Sequence, residues 1–218
     1  PLLRDLNLAT SVCFDEFARQ HGNDFDLEKR ACFCLCKTQQ RLDHQGEIVE
    51  QARELGLKAQ VLDAKQTVAM EPNVRMDVVG SVFFHDDSHI SPWKFMAALK
   101  REVGAHVRWN TKVTEWRKSG ARIVSVQTTQ GDFPGDEVIL SAGSWSSTLL
   151  KLPLQAGKGY SLTLPEPPQL PQIPMILTEA RVAVTPMGGN LRFGGTMEIT
   201  GVDHGISMNR VRGIVDSI

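Results

Sequence analysis

The chain has 218 residues, 41% hydrophobic and 22% charged, with a formal net charge of −1. This is the composition of an ordinary globular protein that can bury a sizeable core, and its near-neutral charge gives no electrostatic basis for nucleic-acid binding. No signal peptide is visible, and no apolar run approaches the roughly 20 residues of a membrane span. Four cysteines could form a disulfide framework, but a chain this large and rich in core residues does not need one, so we expect a reducing, cytoplasmic setting.

The first half of the chain predicts helices that alternate with short strands. Apolar spacing indicates a helix over 5–21, and Ser91, Pro92 and Gly104 delimit a helix over 91–104. The elements expected between them are a strand over 31–37, an amphipathic helix over 38–56 with Thr38 as N-cap, a strand over 58–63, a helical turn over 64–72 and a strand over 78–84.

The stretch "ACFCLC" places Cys32, Cys34 and Cys36 at alternate positions. In a strand these side chains share one face, roughly 6.5–7 Å apart, with the intervening apolar residues on the other. Thiolates on one zinc ion must converge to about 2.3 Å from the metal, which an extended strand prevents. The pattern therefore favours a core strand with unlinked cysteines that bind no metal. The nearby "HDDSH" (85–89) is likewise interpreted as residues that precede a helix.

The second half of the chain predicts mostly strands. Between residues 106 and 143 we expect short strands with turns at Ser119-Gly120 and Gly131-Asp132, the last strand being "EVILSA" over 137–142, and a short helix from Ser144. Further strands are expected over 158–164, 175–179, 181–186 and 191–198, with a Pro-rich surface loop over 164–174 and a final helix. The predicted fold is α+β, with a mixed, largely antiparallel sheet and flanking helices.

Three glycine-containing stretches have the character of ligand sites, although each also has a purely structural interpretation. "ILSAGSWSS" (139–147) runs from a predicted strand into a helix start, which is also typical of a tight turn. "GKGY" (157–160) is not the G-x-G-x-x-G of dinucleotide-binding proteins. "RFGGTME" (192–198) has strand glycines that mark either a bulge or a ligand contact.

Six segments, in their order along the chain, carry a resemblance to a known family: "EPNV", "VVGSVFFHDDSHISPWKFMAAL", "NTKVTEW", "VILSAGSWSSTLL", "LPLQAGKGYSLTL" and "VAVTPMGGNLRFGGTMEITG". They resemble the FAD-dependent amino acid oxidoreductases, which include D-amino acid dehydrogenase, glycine oxidase and sarcosine oxidase. The resemblance implies that a small amino acid loses hydride from its α-carbon to FAD, giving an imine that water hydrolyses to a 2-oxo acid.

The resemblance also implies roles for particular residues. The expected cofactor-binding residues are Val113, Ala142, Gly143 and Trp145. The expected substrate-binding residues are Tyr160, Met197, Arg181 and Arg192, the two arginines being candidates for the substrate carboxylate. Alternatively, the family's main arginine for this role is expected beyond residue 218. No catalytic residue is assigned, and no metal is expected.

The family's G-x-G-x-x-G and its C-terminal glycine-rich closure are absent from this sequence. We therefore expect the chain to be the central portion of a longer enzyme, inactive alone and unable to retain FAD. Residues 1–104 and 151–218 are predicted to belong to the substrate domain, and 105–150 to the FAD-domain side. The parent's contact with a membrane's inner face or with an electron acceptor stays open, as does its oligomeric state. The alternative is a stand-alone ligand- or partner-binding domain without redox activity.

Overall fold

The computed structural model describes residues 2–218 and divides the chain into two units. The first unit comprises the chain up to Glu102 together with Gly159–Thr196 and Ser207–Ile218. The second unit comprises Val103–Lys158 and Met197–Ile206. No helix within residues 2–218 is long and apolar enough to cross a membrane.

Helices and strands alternate through the first half of the chain, and strands dominate the second. The α-helices are α1 (Leu2–His21), α2 (Gln39–Glu54), α3 (Ala64–Met70), α4 (Pro92–Val103), α5 (Ser146–Leu149) and α6 (Met208–Val215), with 3-10 turns at Gly104–His106 and Gly143–Trp145. The strands are β1 (Cys32–Cys36), β2 (Ala59–Asp63), β3 (Gly80–Phe84), β4 (Val113–Ser119), β5 (Arg122–Thr128), β6 (Gly131–Pro134), β7 (Lys158–Leu164), β8 (Met175–Leu177), β9 (Val182–Met187) and β10 (Asn190–Glu198).

A seven-stranded sheet in the order β2-β3-β1-β8-β9-β10-β7 is the framework of the first unit. Strands β1 and β8 are parallel, whereas β1 and β2 pair antiparallel with β3, and β9 pairs antiparallel with β8 and β10. The sheet is therefore mixed and largely antiparallel, with helices packed on it. This confirms the α+β fold predicted from the sequence.

The cysteine strand lies in the core, as predicted. All five residues of β1 are buried, which requires both faces of the strand to be covered. Phe33 and Leu35 belong to the main apolar cluster, and Cys34 packs on the opposite face with Val49 and Ala52 of α2. The three strand cysteines are free thiols. Within residues 2–218 no group of three or more His, Cys, Asp or Glu side chains could hold a metal ion.

The second unit contains a three-stranded antiparallel sheet in the order β4-β5-β6. The turn that joins β4 to β5 is at Gly120-Ala121, one residue later than predicted, because Ser119 still belongs to β4. The next turn comes at Thr129-Gln130, and Gly131 already begins β6. The strand predicted over 137–142 is wrong: these residues pair with no strand within residues 2–218, and the Ile139 side chain is 90% exposed. Apolar β-formers alone do not make a strand, because its backbone groups need hydrogen-bonding partners.

A buried carboxylate fixes the Pro-rich loop over 164–174 to the first unit. Glu71, at the end of α3, is fully buried. Its Oε2 accepts hydrogen bonds from the backbone N–H groups of Gln172, at 2.6 Å, and Ile173, at 2.9 Å. The predicted surface loop is thus fastened at its C-terminal end, immediately before β8.

Candidate functional site

Arg192 lies on the open face of the seven-stranded sheet. On β10 the side chains of Leu191 and Phe193 are buried in the main core, so Arg192 and Gly194 point to the opposite face. A Cβ built on Gly194 would meet no atom within 4 Å, which leaves room beside this arginine. Arg192 is half-buried, opposite Thr185 of β9, and its guanidinium makes no ion pair or hydrogen bond with the side chains of residues 2–218.

Tyr160 lies on the other face of the same sheet. Its ring packs against the main apolar cluster, together with Leu162 of the same strand. Its hydroxyl accepts a hydrogen bond from the Ser207 N–H at 3.1 Å. Tyr160 and Arg192 therefore lie on different faces of the sheet.

Arg181 occupies the turn between β8 and β9. It precedes the first residue of β9, whereas Arg192 pairs with Thr185 further along that strand. Arg181 lines a cavity of about 360 Å³ with Arg41 of α2 and Glu179. The Glu179 carboxylate accepts hydrogen bonds from the N–H groups of Lys37, at 2.9 Å, and Thr38, at 3.2 Å. Burial by itself raises the Glu179 pKa, but these and neighbouring hydrogen bonds outweigh it and hold that pKa below its usual range.

A second cavity of the first unit, of about 430 Å³, lies against the core face of the sheet. Leu191 and Phe193 of β10 line it, as do Met175 and Val184 of the neighbouring strands. Its wall is mainly apolar, which is typical of pockets for small organic ligands. None of the eight residues predicted from the sequence to bind cofactor or substrate lines this cavity.

In the second unit, Met197 adjoins a network of charged groups. The Met197 side chain is 63% exposed, and its Sδ would lie 3.0 Å from a Cβ built on Gly157. The Lys158 Nζ lies 2.7 Å from Glu198 Oε1 and 2.9 Å from Asp203 Oδ2. The hydrogen bonds to Glu198 and Asp203 raise the pKa of Lys158. The pKa of Asp203 is lowered, first by the hydrogen bond from the Gly205 N–H and next by the hydrogen bond from Lys158. This network ties the segment after β10 to the start of β7.

The residues predicted to bind FAD also lie in the second unit, and their backbone can accommodate an extended ligand. Gly143 has φ of 52°, and a Cβ built there would meet no atom within 4 Å, so a ligand can lie against the main chain. Ala142 is half-buried, and Trp145 is 52% exposed with its ring stacked on His204 at 6.5 Å. Val113 is half-buried at the start of β4, just before an irregularity in the β4–β5 pairing. The uncovered Gly143 and the half-exposed Trp145 ring leave backbone and an aromatic side chain accessible to a ligand.

Two features of these surfaces were missed by sequence reasoning. Lys158 pairs with Glu198 and Asp203, which are 40 or more positions away in the sequence. The "GKGY" motif does not indicate either partner. Arg41 resembles any exposed helix arginine, and only the register of β1 with β8 brings it to Arg181. An arginine in the first turn of a helix, where the dipole disfavours cations, was the available signal for Arg41.

The first unit has a mixed sheet that carries the half-buried Arg192, and the second unit has an open backbone at Gly143; each is a surface that a small molecule can contact. A sequence model described as "FAD dependent oxidoreductase" matches residues 1–218. The chain therefore belongs to the FAD-dependent oxidoreductase family, which confirms the resemblance inferred from its motifs.

Curated relatives agree with this family. A D-amino acid dehydrogenase of Cereibacter sphaeroides (strain ATCC 17029) is 32% identical over 212 residues, which cover 91% of this chain and 46% of that protein. A D-amino acid dehydrogenase of Bradyrhizobium diazoefficiens is 29% identical over 202 residues, 87% of this chain and 48% of that protein. The chain thus spans about half the length of the curated relatives it matches.

Solved structures share the fold at low sequence identity. Glycine oxidase from Bacillus cereus superposes with a TM-score of 0.85 at 17% identity, covering 98% of this chain and 61% of that one. L-α-glycerophosphate oxidase from Mycoplasma pneumoniae, solved with FAD bound, gives a TM-score of 0.70 at 18% identity, covering 89% and 59%. These similarities establish the fold.

Proposed function

We propose that this chain is the substrate-domain portion, with part of the cofactor side, of an enzyme that oxidises the amine of a small amino acid with FAD. The observation that carries the proposal is the family match over residues 1–218, supported by the 32% identity to a D-amino acid dehydrogenase. We further propose that residues up to 104 and from 151 onward serve the substrate, and 105–150 the cofactor.

FAD, when bound, supplies the hydride acceptor for this chemistry. We propose that Ala142, Gly143 and Trp145 form a strip of backbone and indole against which it lies, and that Val113 contacts it from β4. The support is the left-handed, uncovered Gly143 and the half-exposed Trp145 ring. A side chain at position 143 would occupy that strip and strain the backbone.

Arg192 is the proposed partner of the substrate carboxylate. A guanidinium matches a carboxylate through two parallel hydrogen bonds, and Arg192 is half-buried with no acidic partner in residues 2–218. Gly194, two residues along β10, leaves room beside it for a small substrate. Contacts from Met197 and Tyr160 stay predictions; a substrate held by Arg192 would not reach Tyr160 on the opposite face.

For location and partners, we propose a cytoplasmic enzyme that binds peripherally at the inner face of the membrane. An electron acceptor there reoxidises its flavin. The support is the name of the curated relatives, which are dehydrogenases. Measuring reduction of a quinone analogue against consumption of oxygen by the purified full polypeptide distinguishes this acceptor from molecular oxygen.

The full polypeptide tests the function directly. We expect it to bind FAD, to show flavin absorbance, and to reduce an artificial acceptor with D-amino acids, glycine or sarcosine in a steady-state panel. A colourless protein that cannot be reconstituted with FAD would refute the proposal. A yellow protein that is inactive on the whole panel would leave the family intact and refute the substrate.

Two matched pairs of variants test the residue roles. Gly143→Val should weaken FAD binding, followed by flavin fluorescence, whereas Gly120→Val places the same strain at an equally open turn and should not. Arg192→Met should raise KM for the amino acid about tenfold or more because a charge-assisted bond is lost. Arg122→Met, an exposed arginine of β5, is its control.

A further inference from the structure

Two arginines from separate elements line one cavity of about 360 Å³ in the first unit. Arg41 comes from the first turn of α2, and Arg181 from the turn between β8 and β9. We call this the arginine cavity. Its size is at the lower end of the range for small-ligand sites.

The Arg41 guanidinium has a buried donor without an acceptor. Its Nη2 donates to the Thr178 carbonyl oxygen at 3.3 Å, but its Nε–H is buried and has no hydrogen-bond partner within residues 2–218. A buried, unsatisfied donor on a cation is costly, and such groups in native proteins have a reason to persist. The Nε–H is closed to solvent, so an oxyanion in the cavity would meet the outer nitrogens of the Arg41 guanidinium.

Arg181 is held in a conformation that few residues other than glycine adopt. Its φ is 55°, in the left-handed region, and its side chain is exposed. Within residues 2–218 its guanidinium makes no ion pair or side-chain hydrogen bond. Strained residues of this kind cluster at ligand sites, and this one holds a positive charge at the wall of the arginine cavity.

The acidic residue of the cavity does not neutralise both arginines. Glu179 directs one carboxylate oxygen at the N–H groups of Lys37 and Thr38, where α2 begins. That leaves two guanidiniums against one carboxylate that is already hydrogen-bonded. Gln40 and His44 add further polar groups to the wall.

We propose that the arginine cavity binds a small oxyanion, a phosphate or carboxylate group held between Arg41 and Arg181. Both groups present the paired oxygens that a guanidinium recognises with two hydrogen bonds. This site is separate from the proposed amine substrate and needs no flavin, so it can be tested whether or not the full polypeptide is an oxidoreductase. It also assigns Arg181 a role other than the substrate carboxylate.

Isothermal titration calorimetry of the full polypeptide at low ionic strength tests the site, with inorganic phosphate in one arm and succinate in the other. We expect saturable binding at one site, stronger for whichever oxyanion the cavity fits. Arg181→Gln and Arg41→Gln should each weaken that binding about tenfold or more, as the loss of a charge-assisted hydrogen bond requires. Arg181→Lys should restore part of the affinity.

Arg122→Gln is the matched control, because it makes the same charge change at an exposed position outside the cavity. It should leave the affinity within twofold of the unaltered protein. Thermal melting without ligand checks that Arg181→Gln, an exposed substitution, leaves the fold intact. Equal affinity of Arg181→Gln and the unaltered protein would overturn the proposal, as would the absence of saturable binding of either anion at 10 mM or so.

Discussion

Burial of the strand cysteines suppresses the ionisation of their thiols. It raises the pKa of Cys32 to about 12 and that of Cys34 to about 11, with the adjacent thiol and Asp87 adding to the effect in each case. The pKa of Cys36 is raised as well, mainly by burial. Since the thiolate is the reactive form, these three groups behave as small apolar side chains. Cys13, on α1, is exposed.

Thiol labelling of the folded chain should therefore show one fast site. With a pKa of about 11, only about one Cys34 thiol in a thousand is ionised at pH 8. We expect iodoacetamide at pH 8 to add one label to the native protein and four after denaturation, counted by mass spectrometry. Cys13→Ser should abolish the fast label. Two or more native labels would contradict the burial of β1.

A second residue-scale prediction concerns the Glu179 carboxylate at the start of α2. Its pKa is lowered in the folded state, so it stabilises the fold above its ordinary value of 4.5, and this contribution is lost as the pH falls through the folded pKa. Glu179→Gln should lower the free energy of unfolding at pH 7, because the charged hydrogen-bond acceptor is lost. The loss should be only about 1 kcal/mol, because partial exposure to solvent screens the charge. Urea denaturation at pH 7, 5 and 3.5 should show this gap closing with acid.

Glu54→Gln supplies the comparison, since Glu54 is exposed at the C-terminal end of α2. Its effect should stay within about 0.5 kcal/mol at every pH. A deficit of Glu179→Gln that is unchanged from pH 7 to pH 3.5 would mean that the carboxylate's charge is not what stabilises the start of α2.

Adjacent glycines of β10 face different environments and should respond differently to the same change. A Cβ on Gly195 would lie 2.8 Å from Val182 Cγ2 and 3.5 Å from Ile214 Cγ1, whereas one on Gly194 would meet nothing within 4 Å. Gly195→Ala should destabilise the protein by about 1–3 kcal/mol through overpacking against Val182 of β9. Gly194→Ala should be neutral or stabilising by up to about 1 kcal/mol. Equal urea midpoints for the two variants would refute this division of the sheet into a packed and an open face.

At the scale of elements, the sequence predicted the features that depend on neighbouring residues alone, such as the starts of helices. Thr38 caps α2 by accepting the Arg41 N–H at 3.3 Å, and Pro92 begins α4, both as the sequence indicated. The strand over 137–142 was wrong because a strand depends on a partner that its own residues do not encode. The sequence also could not predict which face of β10 is buried. Alternation separates Arg192 from Phe193, but only the register with β9 shows which face is covered.

The candidate site shows the same limit more strongly. The resemblance selected Tyr160 and Arg192 together, but the sheet puts them on opposite faces, which depends on packing from α6 and the main cluster. The cavity that unites Arg41 and Arg181 joins residues 140 positions apart in sequence. Ligand-type chemistry was visible in the sequence, whereas the grouping of those residues was a property of the tertiary structure.

Over the whole molecule, the apolar core belongs to the first unit. Every fully buried apolar side chain among residues 2–218 lies there, including Phe33, Val82 and Ile214. In the second unit the buried residues are two serines, Ser125 and Ser146. Because apolar burial is the main favourable term in folding, the two units should differ in local stability.

Hydrogen exchange measures this difference. Amides of β1, β3 and β9 in the first unit should exchange at least about tenfold more slowly than those of β4, β5 and β6, since the latter open without exposing a large apolar core. Mass spectrometry of peptic fragments of the full polypeptide resolves both sheets in one experiment. If FAD binds along 142–145, adding it should slow exchange there and leave β1 unchanged. Uniform protection across both sheets would show that the second unit is stabilised by something other than its own side-chain burial.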